Sequence, residues 1–198
     1  MLTALAVLAL ILGVIRLVMF VALHVVSSEY NIVNHAVSDY AVGPTRKLGT
    51  AMTWTSAVFW AVLAGAVIVS PSMTEKSVAI WLLVLTVLFV ALPFLPTDIE
   101  GQPATLIGRF HLVAAVAWFA ISYSCMGNFV RMLQPVAPQG LVSFLVGTRW
   151  VTMVSLIALV AALVITPARK YAFGISERIF LLAVNAFYLG VSLGLALI

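Results

Sequence analysis

Charge is scarce in this sequence. Only 8% of its 198 residues are Asp, Glu, Lys or Arg, where soluble domains carry roughly a quarter, and a chain so poor in charge cannot cover itself with a surface that water tolerates. Cysteine is nearly absent: Cys125 stands alone, which excludes an intrachain disulfide and a CxxC metal site. No lysine falls inside a long apolar run, so a retinal-type Schiff base is excluded. No HExxH or comparable compact ligand motif occurs. No apolar run shows the paired Gly/Pro interruption of broken transporter helices, which ranks a transporter behind other functions. No basic segment precedes the first run, MLTALAVLALILGVIRLVMFVALHVV, and that run is too long for a signal-peptide core; it is expected to span the membrane.

What the chain has instead is apolar length. Hydrophobic residues make up 64% of it, with a mean hydropathy of +1.21. A bilayer core of about 30 Å takes about 20 apolar residues per helix. Six blocks meet that requirement: Thr3 to Val26, Gly49 to Val69, Ser77 to Leu95, Gly108 to Val130, Leu141 to Ile165 and Ser176 to Ile198. Between them lie segments rich in Pro, Gly, Ser and charge, among them SPSMTEK, QPVAPQG and TPARKYAFG. The blocks are apolar all round, unlike the amphipathic helices of a soluble bundle. The expected fold is an all-α membrane protein, a bundle of six transmembrane helices with short loops, forming one domain over residues 1–198.

Six crossings place both termini on one side and the loops after the first, third and fifth helices (the odd loops) on the other. Arg46, Lys47, Arg109, Arg169, Lys170 and Arg178 fall on the odd-loop side, against Lys76 and Arg131 opposite. By the positive-inside rule the odd loops face the cytoplasm and both termini face out. The net charge of +4 comes from residues scattered at helix ends, so nucleic-acid binding is rejected.

The remaining polar residues are also one-sided. Glu29, Asp39, Asp98, Glu100 and Glu177 lie on the odd-loop face, together with His24, His35 and His111. His35, Ser38 and Asp39 are spaced to share one side of a helical turn. His24, His35 and His111 are candidate zinc ligands, with Asp39 and Asp98 as further ligands or bases and Ser38 as a catalytic hydroxyl, because Zn accepts His nitrogen and carboxylate oxygen and activates water. The structural alternative is that the carboxylates brace loops and the imidazoles sit at headgroup level. A single polar pocket holding His35, Asp39, Asp98 and His111 is expected.

Arg16, near the middle of the first block, is expensive in hydrocarbon and is expected to face the bundle interior. Arg149, in the fifth block, can snorkel. Arg16, Arg109, Arg149 and Glu29 are candidate ligand-binding residues for an anion or lipid headgroup; the alternative for Arg16 is a structural residue held by carbonyls and amides such as Asn185. Trp54, Trp150, Tyr40, Tyr171 and Phe173 are read as an interfacial belt. GVSLG, ending at Gly194, has the GxxxG spacing of close helix packing. Pro96 is expected to end the third helix at Leu95, Glu100 and Gly101 to turn the chain, Thr105 to cap the fourth helix, and Asp98 to pair with Arg109.

Three segments are recognisable together: HAVSDYAVGP at His35 to Pro44, PTDIEG with TLIGRFH at Pro96 to His111, and GISERI at Gly174 to Ile179. Their order and spacing resemble the bacterial membrane family catalogued as domain of unknown function 998, over essentially the whole chain. The resemblance implies six helices with all three segments on one side of a bacterial cytoplasmic membrane, and it supplies no activity. A fainter likeness, in residue types alone, is to intramembrane hydrolase-like receptors and ceramidases. Two functions remain open. One is a lipid-directed or small-molecule site on the odd-loop face, including metal-dependent hydrolysis. The other is a non-catalytic accessory or scaffold subunit that contacts other membrane subunits and holds lipid, haem or pigment.

Overall fold

The computed structural model describes residues 1–26, 30–33, 35–99 and 103–198, apart from the side chains at 166, 168 and 170. Among them are six helices long and apolar enough to cross a bilayer: α1 (Leu2–Val26), α2 (Arg46–Val69), α3 (Ser77–Ala91, extended by a 3₁₀ turn at Leu92–Phe94), α4 (Leu106–Leu133), α5 (Gln139–Val164) and α6 (Thr166–Leu197). A further 3₁₀ turn, Val37–Ala41, lies in the first loop.

Two boundaries differ from the sequence expectation by a full turn or more. The α-helical part of α3 stops at Ala91, one turn before Leu95, because Pro93 cannot donate the next backbone hydrogen bond; the chain tightens into the 3₁₀ turn, closed by Leu95 N–H donating to Leu92 O at 3.0 Å. The helix α6 begins ten residues earlier than Ser176, with Pro167 in its first turn, where a missing N–H has no consequence. The segment TPARKYAFG is therefore helix, and only Ile165 separates α5 from α6.

The most enclosed helix is α6: 61% of its apolar window is buried against 22% to 44% for the other five, so it forms the centre of the bundle. Gly190 faces Leu145 and Phe144 of α5, and Gly194 faces Leu141 of α5 and Leu133 of α4. The GxxxG spacing thus serves packing inside the bundle, where lipid supplies no hydrophobic drive and close contact has to. Trp60 of α2 meets Tyr188 of α6 edge-to-face at 4.7 Å, and the Tyr188 hydroxyl donates to Ser122 O of α4 at 2.6 Å. Valines and isoleucines such as Val18, Ile80, Val87, Val113 and Ile157 point outward, as suits a lipid-facing perimeter. On the side away from the odd loops, Lys76 Nζ donates to the carbonyls of Val67, Ile68 and Ser70 at 2.8, 2.9 and 2.6 Å. It thereby covers the free C-terminal carbonyls of α2.

Candidate functional site

The first loop is locked onto α6. Gly174 N–H donates to Val33 O at 2.9 Å, and a Cβ at Gly174 would lie 2.5 Å from Ile32 O and 2.7 Å from His35 O, so only glycine permits this approach. The next turn of α6 supplies Glu177 and Arg178, both buried. Glu177 Oε2 accepts the Val37 N–H at 2.7 Å. Arg178 donates to the Ile32, His35 and Gly174 carbonyls at 3.0, 2.8 and 2.9 Å, to the Tyr40 hydroxyl at 3.3 Å, and to His24 Nε2 at 2.8 Å. His24 Nδ1–H donates to Phe20 O at 2.7 Å, so both ring nitrogens are engaged and the tautomer is set. His35 Nδ1 and the Ala36 N–H both donate to Asp39 Oδ2, at 3.0 and 3.2 Å.

The third loop is held by its carboxylate. Asp98 accepts the Thr105 N–H at 2.7 Å and the Thr105 hydroxyl at 2.8 Å, and Thr105 Oγ1 in turn accepts the Gly108 N–H at 3.0 Å as the N-cap of α4. These two bonds from Thr105 hold the Asp98 carboxyl below its ordinary range. The cap matches expectation; the partner of Asp98 does not. Arg109 is exposed and makes no ion pair among the described residues, because Thr105 offers both its donors at shorter reach. Gly108 is required here, since a Cβ would overlap the Asp98 carboxylate. His111 Nδ1–H donates to Leu95 O at 2.6 Å and ties α4 to the end of α3.

Between these two locked loops a cavity of about 390 Å³ descends into the bundle. Ser38, Arg46, Thr97, His111 and Glu177 line its loop end. Phe20, Phe89, Trp118 and Phe119 form apolar walls, and Arg16 and Asn185 line it more deeply. Arg16 is 5% exposed and faces the interior as expected, its guanidinium 4.4 Å from the Phe59 ring centre and 5.3 Å from that of Trp60.

The expected common pocket is not formed. Ser38 and His111 line the cavity, whereas His24, His35, Asp39 and Asp98 do not. The three imidazoles are held by separate partners: Arg178, Asp39 and the Leu95 carbonyl. Among the described residues no group of three His, Cys, Asp or Glu is placed to hold a metal ion, and Ser38 is hydrogen-bonded to no imidazole or carboxylate. Tyr40 and Phe173 are buried rather than belt residues, while Trp54, Trp150 and Tyr171 are exposed. Arg149 is exposed and lies over Gly127. Glu29, Glu100 and Gly101 lie outside the described residues. The sequence places Glu177 and Arg178 on this face, within the segment GISERI at the start of the sixth apolar block, but gives neither a site role. Phe59 and Trp60 gave no signal among so many aromatics.

Among the described residues, six apolar helices, five of them around a central α6, define a multi-pass α-helical membrane protein. The chain belongs to the family described as protein of unknown function DUF998, whose model matches residues 7–194. No curated protein and no solved structure matches it.

Proposed function

We propose that this protein binds a small, largely apolar ligand inside the membrane, within the cavity bounded by α1, α2, α3, α4 and α6, and exchanges it through the odd-loop face. The observation that carries this reading is the cavity. Its 390 Å³ falls in the range of roughly 300–1,000 Å³ typical of small-molecule sites, and its apolar walls with a few polar groups are the usual composition of one. Binding is favoured over hydrolysis because His24, His35 and Asp98 are spent on holding loops in place, and among the described residues Ser38 lacks the adjacent base that activates a nucleophile. The basic residues Arg46, Lys47 and Arg109 favour a cytoplasmic odd-loop face in a bacterial cytoplasmic membrane.

Thermal unfolding of the purified protein in phosphatidylcholine nanodiscs tests this with dodecanol as probe. Dodecanol is expected to raise the melting temperature of the wild type and not that of Ala115→Trp, whose added ring fills the cavity beside Trp118. Equal responses from the two proteins would overturn the reading.

A further inference from the structure

Resting on that reading, we infer that the ligand is a single-chain amphiphile with an oxyanion head, carboxylate or phosphate monoester, and that it enters head first to meet Arg16.

Depth is the first argument. Arg16 precedes the end of α1 at Val26 by ten residues, about 15 Å along a helix, so its charge sits near the middle of the hydrocarbon layer. Its neighbours there are aromatic. Trp60, against which Arg16 lies, packs on Tyr188, and this sets Arg16 level with Tyr188 and with Asn185, one turn away on the same face of α6. Among the described residues Glu177 is the one carboxylate that lines the cavity, and it precedes Tyr188 by eleven residues, roughly 16 Å up the helix. It cannot neutralise Arg16.

The second argument is satisfaction. Among the described residues no carboxylate pairs with Arg16 and no acceptor receives its N–H donors. Ring faces attract the cation on one side but accept none of its directed hydrogen bonds. The guanidinium is a rigid fork of five donors shaped for a carboxylate or a phosphate, and here a 95% buried one is aimed into a cavity. Asn185 Oδ1 at the same level is also buried with no partner among the described residues, so Asn185 does not serve Arg16 as a structural acceptor. A head placed at Arg16 leaves the chain of the ligand among Phe20, Phe89, Trp118 and Phe119.

The test compares probes of one chain length on the full chain in phosphatidylcholine nanodiscs, following the fluorescence of Trp60 and Trp118. Dodecyl phosphate is expected to bind at least about tenfold more tightly than dodecanol, the gain of one charge-assisted pair of hydrogen bonds. Dodecylammonium should bind more weakly than dodecanol, and inorganic phosphate should leave the signal unchanged. In Arg16→Met the preference for dodecyl phosphate should fall below about twofold with dodecanol binding retained, and Arg16→Lys should keep part of it. If Arg16→Met does not fold, the ranking of the probes on the wild type decides alone. Equal binding of dodecyl phosphate and dodecanol, or a preference that survives Arg16→Met, overturns the anionic head and leaves the cavity reading standing. A fluorescence change with inorganic phosphate as strong as with dodecyl phosphate overturns the amphiphile. Absence of binding by all three dodecyl probes overturns the cavity reading and this inference together.

Discussion

Arg178 of α6 donates its Nε–H to Nε2 of His24 on α1 at 2.8 Å, across 154 positions of sequence. Because the other nitrogen of His24 already donates to Phe20 O, the imidazole is neutral and acts as an acceptor, and the guanidinium binds helix, loop and ring at once.

Arg178→Lys should therefore be strongly destabilising although the charge is kept. An ammonium carries its three donors on one atom and cannot reach His24, Tyr40 and the two loop carbonyls together. A loss of about 2–4 kcal/mol is expected, in line with breaking a buried charged network, and a denaturation curve in mild detergent measures it. A wild-type midpoint would show that the loop docks without this residue.

The first loop should also report on Gly174. Gly174→Ala brings a methyl group against the Ile32 and His35 carbonyls, and overpacking of this kind costs about 1–3 kcal/mol. Exchange of the Val37 amide, which donates to Glu177, should speed up in step. Gly147→Ala is the control, since nothing lies within 4 Å of a Cβ there; it should stabilise α5 by up to about 1 kcal/mol.

Asp98 gives a pH signature. Its folded carboxyl titrates below the ordinary value of 3.8 through the two hydrogen bonds from Thr105, so the ionised form stabilises the fold. That contribution is complete above the ordinary value and is lost as pH falls through the lower folded value. Asp98→Asn, which lacks it, should melt below the wild type at neutral pH, and the two melting curves should converge as the medium is acidified. A difference independent of pH would assign the effect to shape rather than charge.

On the opposite face, Lys76→Met should fray the end of α2, since three carbonyls lose one shared donor. A decrease of about 1–2 kcal/mol is expected for a cation at a helix C-terminus, and Lys76→Arg should recover much of it.

The six spans and the one-sided gathering of polar groups were legible because apolar length and loop charge are properties of the chain itself. The interior position of Arg16 was legible for the same reason: hydrocarbon leaves a guanidinium no other place. The start of α6 was not, because Pro167 reads as a break until its place in the first turn is seen. The partners of Asp98 and of the three histidines were equally hidden. Arg109 and Thr105 are both near Asp98 in sequence, and the choice between them depends on the cap geometry of α4. Whether His24 meets His35 or Arg178 depends on how far α6 extends toward the loop. The cavity, bounded by five helices and two loops, has no local signature at all.

The hydrogen bond from Val37 N–H to Glu177 spans 140 positions, and this has a consequence for biosynthesis. A chain made from its N-terminus delivers α1, the first loop and α2 to the membrane long before α6 exists. Through that interval the Ile32 and His35 carbonyls lack the donors of Arg178, and the turn at Val37–Ala41 lacks its acceptor on α6. Contacts so distant in sequence close late, and here they wait for the last helix to be inserted. The cavity mouth is thus the final part of the molecule to take shape, and a chain stopped before Gly174 would carry five spans with the first loop undocked.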